Sequence, residues 1–200
     1  VGTYTKSCDS KGIYVYEFDS KTADFKFKNS SENIINPSYL SVSNDNKFVY
    51  SVSENDNKSS ISAFGYNSKS GKLDFINHQN PNGLNPCYVI NDDKNVITAN
   101  YSSGNISVLG KNIDGSIGEA KQLVQHTGKS INTNRQEAAH AHMVYFSPDK
   151  KYVLANDLGT DKVYVYQYNP NSQTEVLKLK SSVNCTPGSG PRHLIFSNDG

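Results

Sequence analysis

The segment HAHMVYFSPDKKYVLANDLGTDKVYVYQYN, from His140 to Asn169, contains three short apolar runs separated by polar turns. The first two runs, Met143 to Phe146 and Tyr152 to Ala155, flank a Ser-Pro-Asp turn, which is the pattern of a β-hairpin. A third run begins at Val163, and a weaker fourth run, EVLKLK, begins at Glu175. This part of the chain therefore predicts four consecutive short strands.

The same order of turn, strand, turn and strand begins at four places about 50 residues apart: Asn36, Asn85, His140 and Gly190. Four short strands per unit at this period are typical of the blades of a β-propeller. No stretch shows the 3.6-residue periodicity of an amphipathic helix. A β-sandwich would supply the strands but not a fixed repeat with corresponding turns. We therefore predict an all-β protein, a β-propeller of four-stranded blades.

The repeats do not close into a complete ring. Residues 1–28 resemble the later strands of a first blade, and residues 190–200 the first strand of a further one. An unpaired apolar strand is an aggregation hazard, so we expect the chain to continue into C-terminal blades that are missing here. About four blades are then present, with complete ones at 36–77, 85–125 and 140–183.

Composition limits the classes of partner. The net charge of +1 gives no electrostatic reason to expect nucleic acid or an anionic membrane, and no apolar segment approaches the ~20 residues that span a bilayer. Three cysteines without paired spacing argue against a zinc site or a disulfide framework. Their odd number favours the cytoplasm, although a chain that starts at Val1 leaves room for a removed signal peptide. We expect a monomer or weak homo-oligomer that acts on a small molecule.

Two clusters contain both arginines of the chain and three of its five histidines. The clusters are RQEAAHAH, from Arg135 to His142, and GPRH, from Gly190 to His193. Superposing the repeats gives one equivalent position at the entry to each first strand, occupied by Ser38, Cys87, His142 and Arg192. The first strand of a blade lines the central channel, so these side chains should form a ring at one mouth. A second ring, at the end of the second strand, comprises Glu54, Tyr101 and Asp157.

Each of these residues has a functional and a structural interpretation. His140 and His142 point the same way on an extended backbone, but no third ligand follows at a metal-binding spacing, so metal is the minor alternative. Arg192 offers a planar fork of donors for a carboxylate or phosphate, or else caps a strand. Asp157 shapes a turn or orients a histidine. Arg135 is either solvated or closes over a ligand.

The segments HAHMVYFSPDKKYVLANDLGTDKVYVYQYN and GSGPRHLIFSNDG, with GTYT at Gly2 to Thr5, resemble the seven-bladed propeller lactonase family. That family includes bacterial 6-phosphogluconolactonases and a fungal carboxymuconate lactonising enzyme. The resemblance implies seven blades in the full-length protein. It places the catalytic residues at His142, its neighbour His140 and Arg192, and a catalytic glutamate and a further arginine beyond Gly200. The substrate would be bound by the other polar residues of the two rings and the two clusters: Arg135, His193, Asp157 and Glu54.

The implied activity is that of a carboxylic-ester hydrolase of carbohydrate metabolism, which opens 6-phosphogluconolactone to 6-phosphogluconate in the pentose phosphate pathway. Such a reaction needs an activated water, a donor for the developing oxyanion and a group that holds the substrate's anion. His142 and Arg192 supply these groups, so we expect no metal or organic cofactor. Two alternatives remain open, a muconate-type lactonising enzyme and a non-catalytic propeller that binds a partner on its face.

Overall fold

The computed structural model describes residues 1–200, in which the regular structure is β-strand except for one short 3-10 helix at Asp56–Lys58. No helix in it has the length and apolar character needed to cross a membrane. The strands are β1 (Ile13–Phe18), β2 (Phe25–Ser31), β3 (Leu40–Val42), β4 (Phe48–Ser53), β5 (Ser60–Asn67), β6 (Lys72–Gln79), β7 (Pro86–Asn91), β8 (Asn95–Asn100), β9 (Asn105–Lys111), β10 (Ile117–Gln125), β11 (Ala141–Phe146), β12 (Tyr152–Asp157), β13 (Lys162–Tyr168) and β14 (Leu177–Asn184).

The strands form three four-stranded antiparallel sheets, β3–β6, β7–β10 and β11–β14, and one two-stranded sheet, β1–β2. Within each sheet, strands adjacent in sequence are adjacent in space, so each four-stranded sheet corresponds to one sequence repeat. This is the meander topology of a propeller blade, and it confirms the predicted fold class.

The turn after the first apolar run of a repeat is closed by the same side-chain bond in three repeats. A serine hydroxyl donates to the aspartate two residues later, which orders the turn before the second strand begins. The three bonds are Ser43 to Asp45 (2.6 Å), Ser147 to Asp149 (2.7 Å) and Ser197 to Asp199 (2.7 Å). Local turn chemistry thus repeats with the strands.

Apolar side chains fill the space between neighbouring sheets. Val52 and Ile61 of one sheet pack with Val89 and Leu109 of the next, and all four are fully buried. A larger cluster joins the sheet β7–β10 to the sheet β11–β14. Because successive sheets pack face to face, their first strands come together on one side.

The start of each first strand lies beside the end of the second. Pro86 pairs with Asn100, and Ala141 pairs with Asp157. The two predicted rings of polar residues therefore occupy the same end of the sheets, which is the face that carries the candidate site.

Residues 190–200, predicted as the first strand of a further blade, form no strand in this structure, because a strand needs a hydrogen-bonded neighbour and none of the described residues provides one here. The segment lies instead along β11 through side-chain contacts. Leu194 N donates to Met143 Sδ at 3.1 Å, and the Phe196 ring stacks on Tyr145 with centroids 6.2 Å apart.

Candidate active site

A histidine and an arginine from consecutive repeats meet directly at this face. Arg192 Nε donates a hydrogen bond of 2.9 Å to Nε2 of His142. The guanidinium has no accepting atom, so Nε2 must be the unprotonated nitrogen and the ring hydrogen lies on Nδ1. The imidazole is therefore neutral, and its lone pair points to the arginine.

The surroundings of His142 favour this neutral state. Burial and the neighbouring charge of Arg192 lower the pKa of His142 to about 4. The residue is 8 % exposed, and its Nδ1 is buried without a hydrogen-bond partner. The ring is therefore neutral at neutral pH, and Nε2 is its one accepting nitrogen.

His140 has different hydrogen-bond partners from His142, although both rings contact the ring of Tyr101. His140 precedes the strand β11, which begins at Ala141, and the register of β11 shifts between Ala141 and Met143. His140 Nδ1 donates to the carbonyl of Tyr101 at 3.0 Å, and Nε2 lies 3.1 Å from the Glu137 carboxylate. The ring also stacks on Tyr101, with centroids 4.4 Å apart. Both ring nitrogens have hydrogen-bond partners, so His140 stabilises the structure of the site.

Asp157 lies behind the site and does not line it. Its side chain is fully buried, and Oδ2 accepts a hydrogen bond of 2.9 Å from His126 Nδ1. Oδ1 accepts the backbone N–H of His140 at 2.8 Å. Burial opposes ionisation, but these donors keep the pKa of Asp157 below its usual value. Asp157 has no access to solvent, so it does not fit the predicted role of a substrate-binding residue. Its hydrogen bonds are those of a group that positions His140.

The remaining members of the first ring lie near this pair. Cys87 Sγ lies 3.4 Å from the carbonyl oxygen of His142, and burial, aided by the Glu54 charge, raises the pKa of its thiol to about 12. Glu54 accepts hydrogen bonds from Ser38 Oγ and from Tyr4 Oη. The thiol is therefore neutral, and Glu54 supplies a carboxylate at the mouth.

The other two predicted substrate-binding residues are exposed. The ring of His193 lies edge-on to His142, with centroids 5.3 Å apart, and burial and Arg192 lower the pKa of His193. Arg135 donates a long hydrogen bond of 3.4 Å to Tyr101 Oη. Arg135 and Arg192 line one cavity of about 280 Å³. Of the predicted site residues, Arg135, His142, Arg192 and His193 thus share one region.

Comparison with known proteins agrees with the propeller fold. The profile of the family described as lactonase, 7-bladed beta-propeller, matches residues 1–200. The chain belongs to this lactonase family. A Bacillus subtilis relative of the family, a 6-phosphogluconolactonase, is 38 % identical over 98 % of the chain. A Bacteroides fragilis protein solved as a proposed 6-phosphogluconolactonase superposes over the whole chain with a TM-score of 0.95 and 42 % identity. A periplasmic gluconolactonase from Pseudomonas aeruginosa gives a TM-score of 0.89 and 34 % identity over the whole chain.

The chain spans only part of these lactonase-family proteins. It covers 55 % of the Bacillus relative and 58 % of both solved structures. Blades outside the described residues would face the same central channel in a seven-bladed ring. The activity of the whole protein is therefore a matter for proposal.

Sequence reasoning missed two buried groups of this lactonase-family site. The pairing of His126 with Asp157 joins residues 31 positions apart, and Asp161 contacts segments on either side of it in sequence. One signal was present in the polar run NDLGTD, where two aspartates follow a buried strand. The run indicated a turn, but it did not indicate from which distant donors the two carboxylates accept hydrogen bonds.

Proposed function

We propose that the full-length protein hydrolyses a sugar lactone and that its substrate is 6-phosphogluconolactone. The observation that carries the proposal is the contact between Arg192 Nε and His142 Nε2 at the face where the first strands converge. The Bacillus subtilis and Formosa agariphila relatives, both 6-phosphogluconolactonases, support the choice of substrate.

The neutral imidazole of His142 acts as the general base. When the substrate binds, Arg192 exchanges its bond to Nε2 for one to the lactone carbonyl oxygen, which frees the Nε2 lone pair. Nε2 then takes a proton from a water molecule, whose oxygen attacks the carbonyl carbon and forms a tetrahedral oxyanion, where a charged donor is most effective. The bond from carbon to the ring oxygen breaks, and the imidazolium returns its proton to the leaving oxygen. The product is the open-chain acid.

The other residues hold the site and the substrate. Arg135 and His193 flank the pair on its solvent side and contact the substrate's polar groups, and Glu54 accepts hydrogen bonds from sugar hydroxyls at the mouth. His140 acts through its stacking on Tyr101, which also meets the His142 ring edge-on at 5.6 Å.

Two alternatives make different predictions. A muconate-type lactonising enzyme would use the same histidine and arginine to close a ring on a dicarboxylate. A non-catalytic binding module would expose an apolar patch at the mouth, whereas polar and charged side chains occupy this mouth: Ser38, Glu54, His142 and Arg192. This composition favours an enzyme.

A substrate panel with the full-length protein separates these functions. We expect hydrolysis of 6-phosphogluconolactone, followed as acid release, and no turnover of carboxymuconate-type acids. Turnover of the dicarboxylate alone would establish the lactonising alternative. Absence of turnover with both classes would refute the assignment as an enzyme of this type.

We also infer a cytoplasmic location, because all three cysteines are unpaired and disulfides are rare in that compartment. The Pseudomonas relative is periplasmic, so the inference needs a direct test. Fractionation of cells expressing the full-length protein should recover it with cytoplasmic markers. Recovery with periplasmic markers would contradict the inference.

A further inference from the structure

Asp161 is a buried carboxylate that the reaction above does not use. It is 4 % exposed and follows the turn between β12 and β13. Its oxygens accept hydrogen bonds from Ser130 Oγ (2.5 Å), Gly188 N (2.6 Å), Gly190 N (2.7 Å) and Gln136 Nε2 (2.8 Å). Burial opposes ionisation, yet these four donors lower the pKa of Asp161 to about 2. The group is therefore charged at any physiological pH.

These donors come from the two segments that carry the arginines of the chain. Ser130 and Gln136 belong to the loop between β10 and β11, and Gln136 is next to Arg135 in sequence. Gly188 and Gly190 belong to the segment after β14, and Gly190 is two residues before Arg192. One carboxylate thus ties both segments to the same turn.

The backbone of the second segment is shaped for this contact. Gly188 and Gly190 have φ values of 87° and 55°, in the left-handed region that glycine adopts without steric cost. This conformation turns both amides toward one carboxylate, and the chain then runs directly into Arg192. The position of Arg192 therefore depends on the bond between these amides and Asp161.

The two arginines form no salt bridge among the described residues. Arg135 contacts the hydroxyl of Tyr101, and Arg192 uses Nε for His142, which leaves its terminal amino groups free of protein partners. Both charges act on His142, where each lowers the pKa of the ring. Two guanidinium groups at one cavity repel each other, and a doubly charged anion between them would remove that repulsion.

We propose that Asp161 is a positioning residue that presents Arg135 and Arg192 as a two-guanidinium subsite for the phosphate group of the lactone. The proposal rests on the proposed function for its substrate. The subsite cavity has a volume of about 280 Å³ and a lining that is polar except for Leu158. Guanidinium forks match the geometry of phosphate oxygens, so this subsite distinguishes a phosphorylated lactone from a plain one.

The test uses full-length protein with Asp161→Asn, Arg135→Gln and the two combined. Asp161→Asn keeps the shape of the side chain but replaces one acceptor oxygen with a donor. If Oδ2 is replaced, Ser130 and Gly188 lose their acceptor; if Oδ1 is replaced, Gly190 and Gln136 lose theirs. Asp92→Asn is the matched control, because Asp92 is also buried but lies at the opposite end of the strands. It accepts hydrogen bonds from the Tyr168 hydroxyl at 2.7 Å and from the backbone N–H of Asn95 at 2.8 Å.

Two measurements are made on each variant: the affinity for inorganic phosphate and the ratio of kcat/KM for 6-phosphogluconolactone to that for unphosphorylated gluconolactone. We expect both to fall about tenfold in Asp161→Asn and in Arg135→Gln, and to fall no further in the double variant, since contacting or linked residues act as one unit. Asp92→Asn should lower the thermal midpoint without changing either quantity.

The outcomes separate this proposal from the proposed function. If Asp161→Asn lowers the thermal midpoint but leaves phosphate affinity and substrate preference unchanged, Asp161 is only structural and the proposal is overturned. The same holds if the losses of Asp161→Asn and Arg135→Gln simply add. A parent protein that binds phosphate through Arg135 but hydrolyses no lactone would support the subsite and refute the hydrolase.

Discussion

Arg192 and His142 lie 50 positions apart in the chain, yet Arg192 Nε donates to His142 Nε2 across 2.9 Å. The contact exists because His142 lies in β11 and the segment that carries Arg192 runs along β11, so equivalent positions of two successive repeats lie side by side. The same position in two neighbouring repeats of about 50 residues thus supplies an imidazole and a guanidinium, which we propose act as base and charged donor.

The acid limb of the pH profile should report His142. Burial and Arg192 lower the pKa of His142 to about 4, so the base stays neutral from pH 7 down to about pH 5. We expect kcat/KM for the lactone to fall only below that, with an apparent pKa near 4. In Arg192→Gln the limb should move to higher pH, because one cause of the lowering is removed, while burial remains.

Stability should change over the same range with a definite sign. The pKa of His142 is lower in the folded than in the unfolded protein. Its contribution to the free energy of unfolding, measured in urea, is therefore complete above about pH 6.5 and is lost as the pH falls toward 4.

The control for the pH–rate profile is His78→Gln, which changes an exposed histidine on β6. It should leave the acid limb in place; an acid limb near pH 6.5 in the parent would contradict the account.

Removing the partner of Asp157 should destabilise the protein strongly. His126→Leu leaves Oδ2 of this fully buried carboxylate without its donor, and an unsatisfied buried acceptor costs about 1–3 kcal/mol, more when it is charged. Tyr166→Phe removes only the hydroxyl that donates a hydrogen bond of 2.8 Å to His126 Nε2. This change should lower the free energy of unfolding by about 1 kcal/mol. The free energy of unfolding in urea measures both. Equal losses would show that the carboxylate does not depend on His126.

A methyl group at Gly159 should displace the loop that leads to His140. A Cβ there would lie 1.8 Å from the carbonyl oxygen of Ala138 and 2.8 Å from His140 N. We expect Gly159→Ala to lower the free energy of unfolding by about 1–3 kcal/mol. Gly110→Ala is the control, because a Cβ at Gly110 meets nothing within 4 Å. If the two variants unfold at the same urea concentration, the contact is not a constraint.

The sequence predicts the fold because its information is local and repeated. Turn residues and apolar runs recur in register, so the positions of His142 and Arg192 at one mouth follow from superposition alone. The environment of His140 does not, because its partners, Tyr101 and Glu137, are brought to it by the packing of the loop before β11. The sequence left open that Asp157 orients a histidine, but it did not predict the donor His126 or the role of Asp161. A turn aspartate looks the same in sequence whether it accepts a hydrogen bond from water or from a distant histidine. The strand expected at 190–200 depends on a neighbour that the described residues do not include.

The most direct test of the central claim is a double-variant comparison in full-length protein. Rates of 6-phosphogluconolactone hydrolysis are measured for the parent, His142→Gln, Arg192→Gln and the combined variant. We predict that His142→Gln lowers kcat about 10²- to 10⁴-fold and that the combined variant is little slower, because base and donor act as one unit. Single variants that hydrolyse the lactone as fast as the parent would contradict the account.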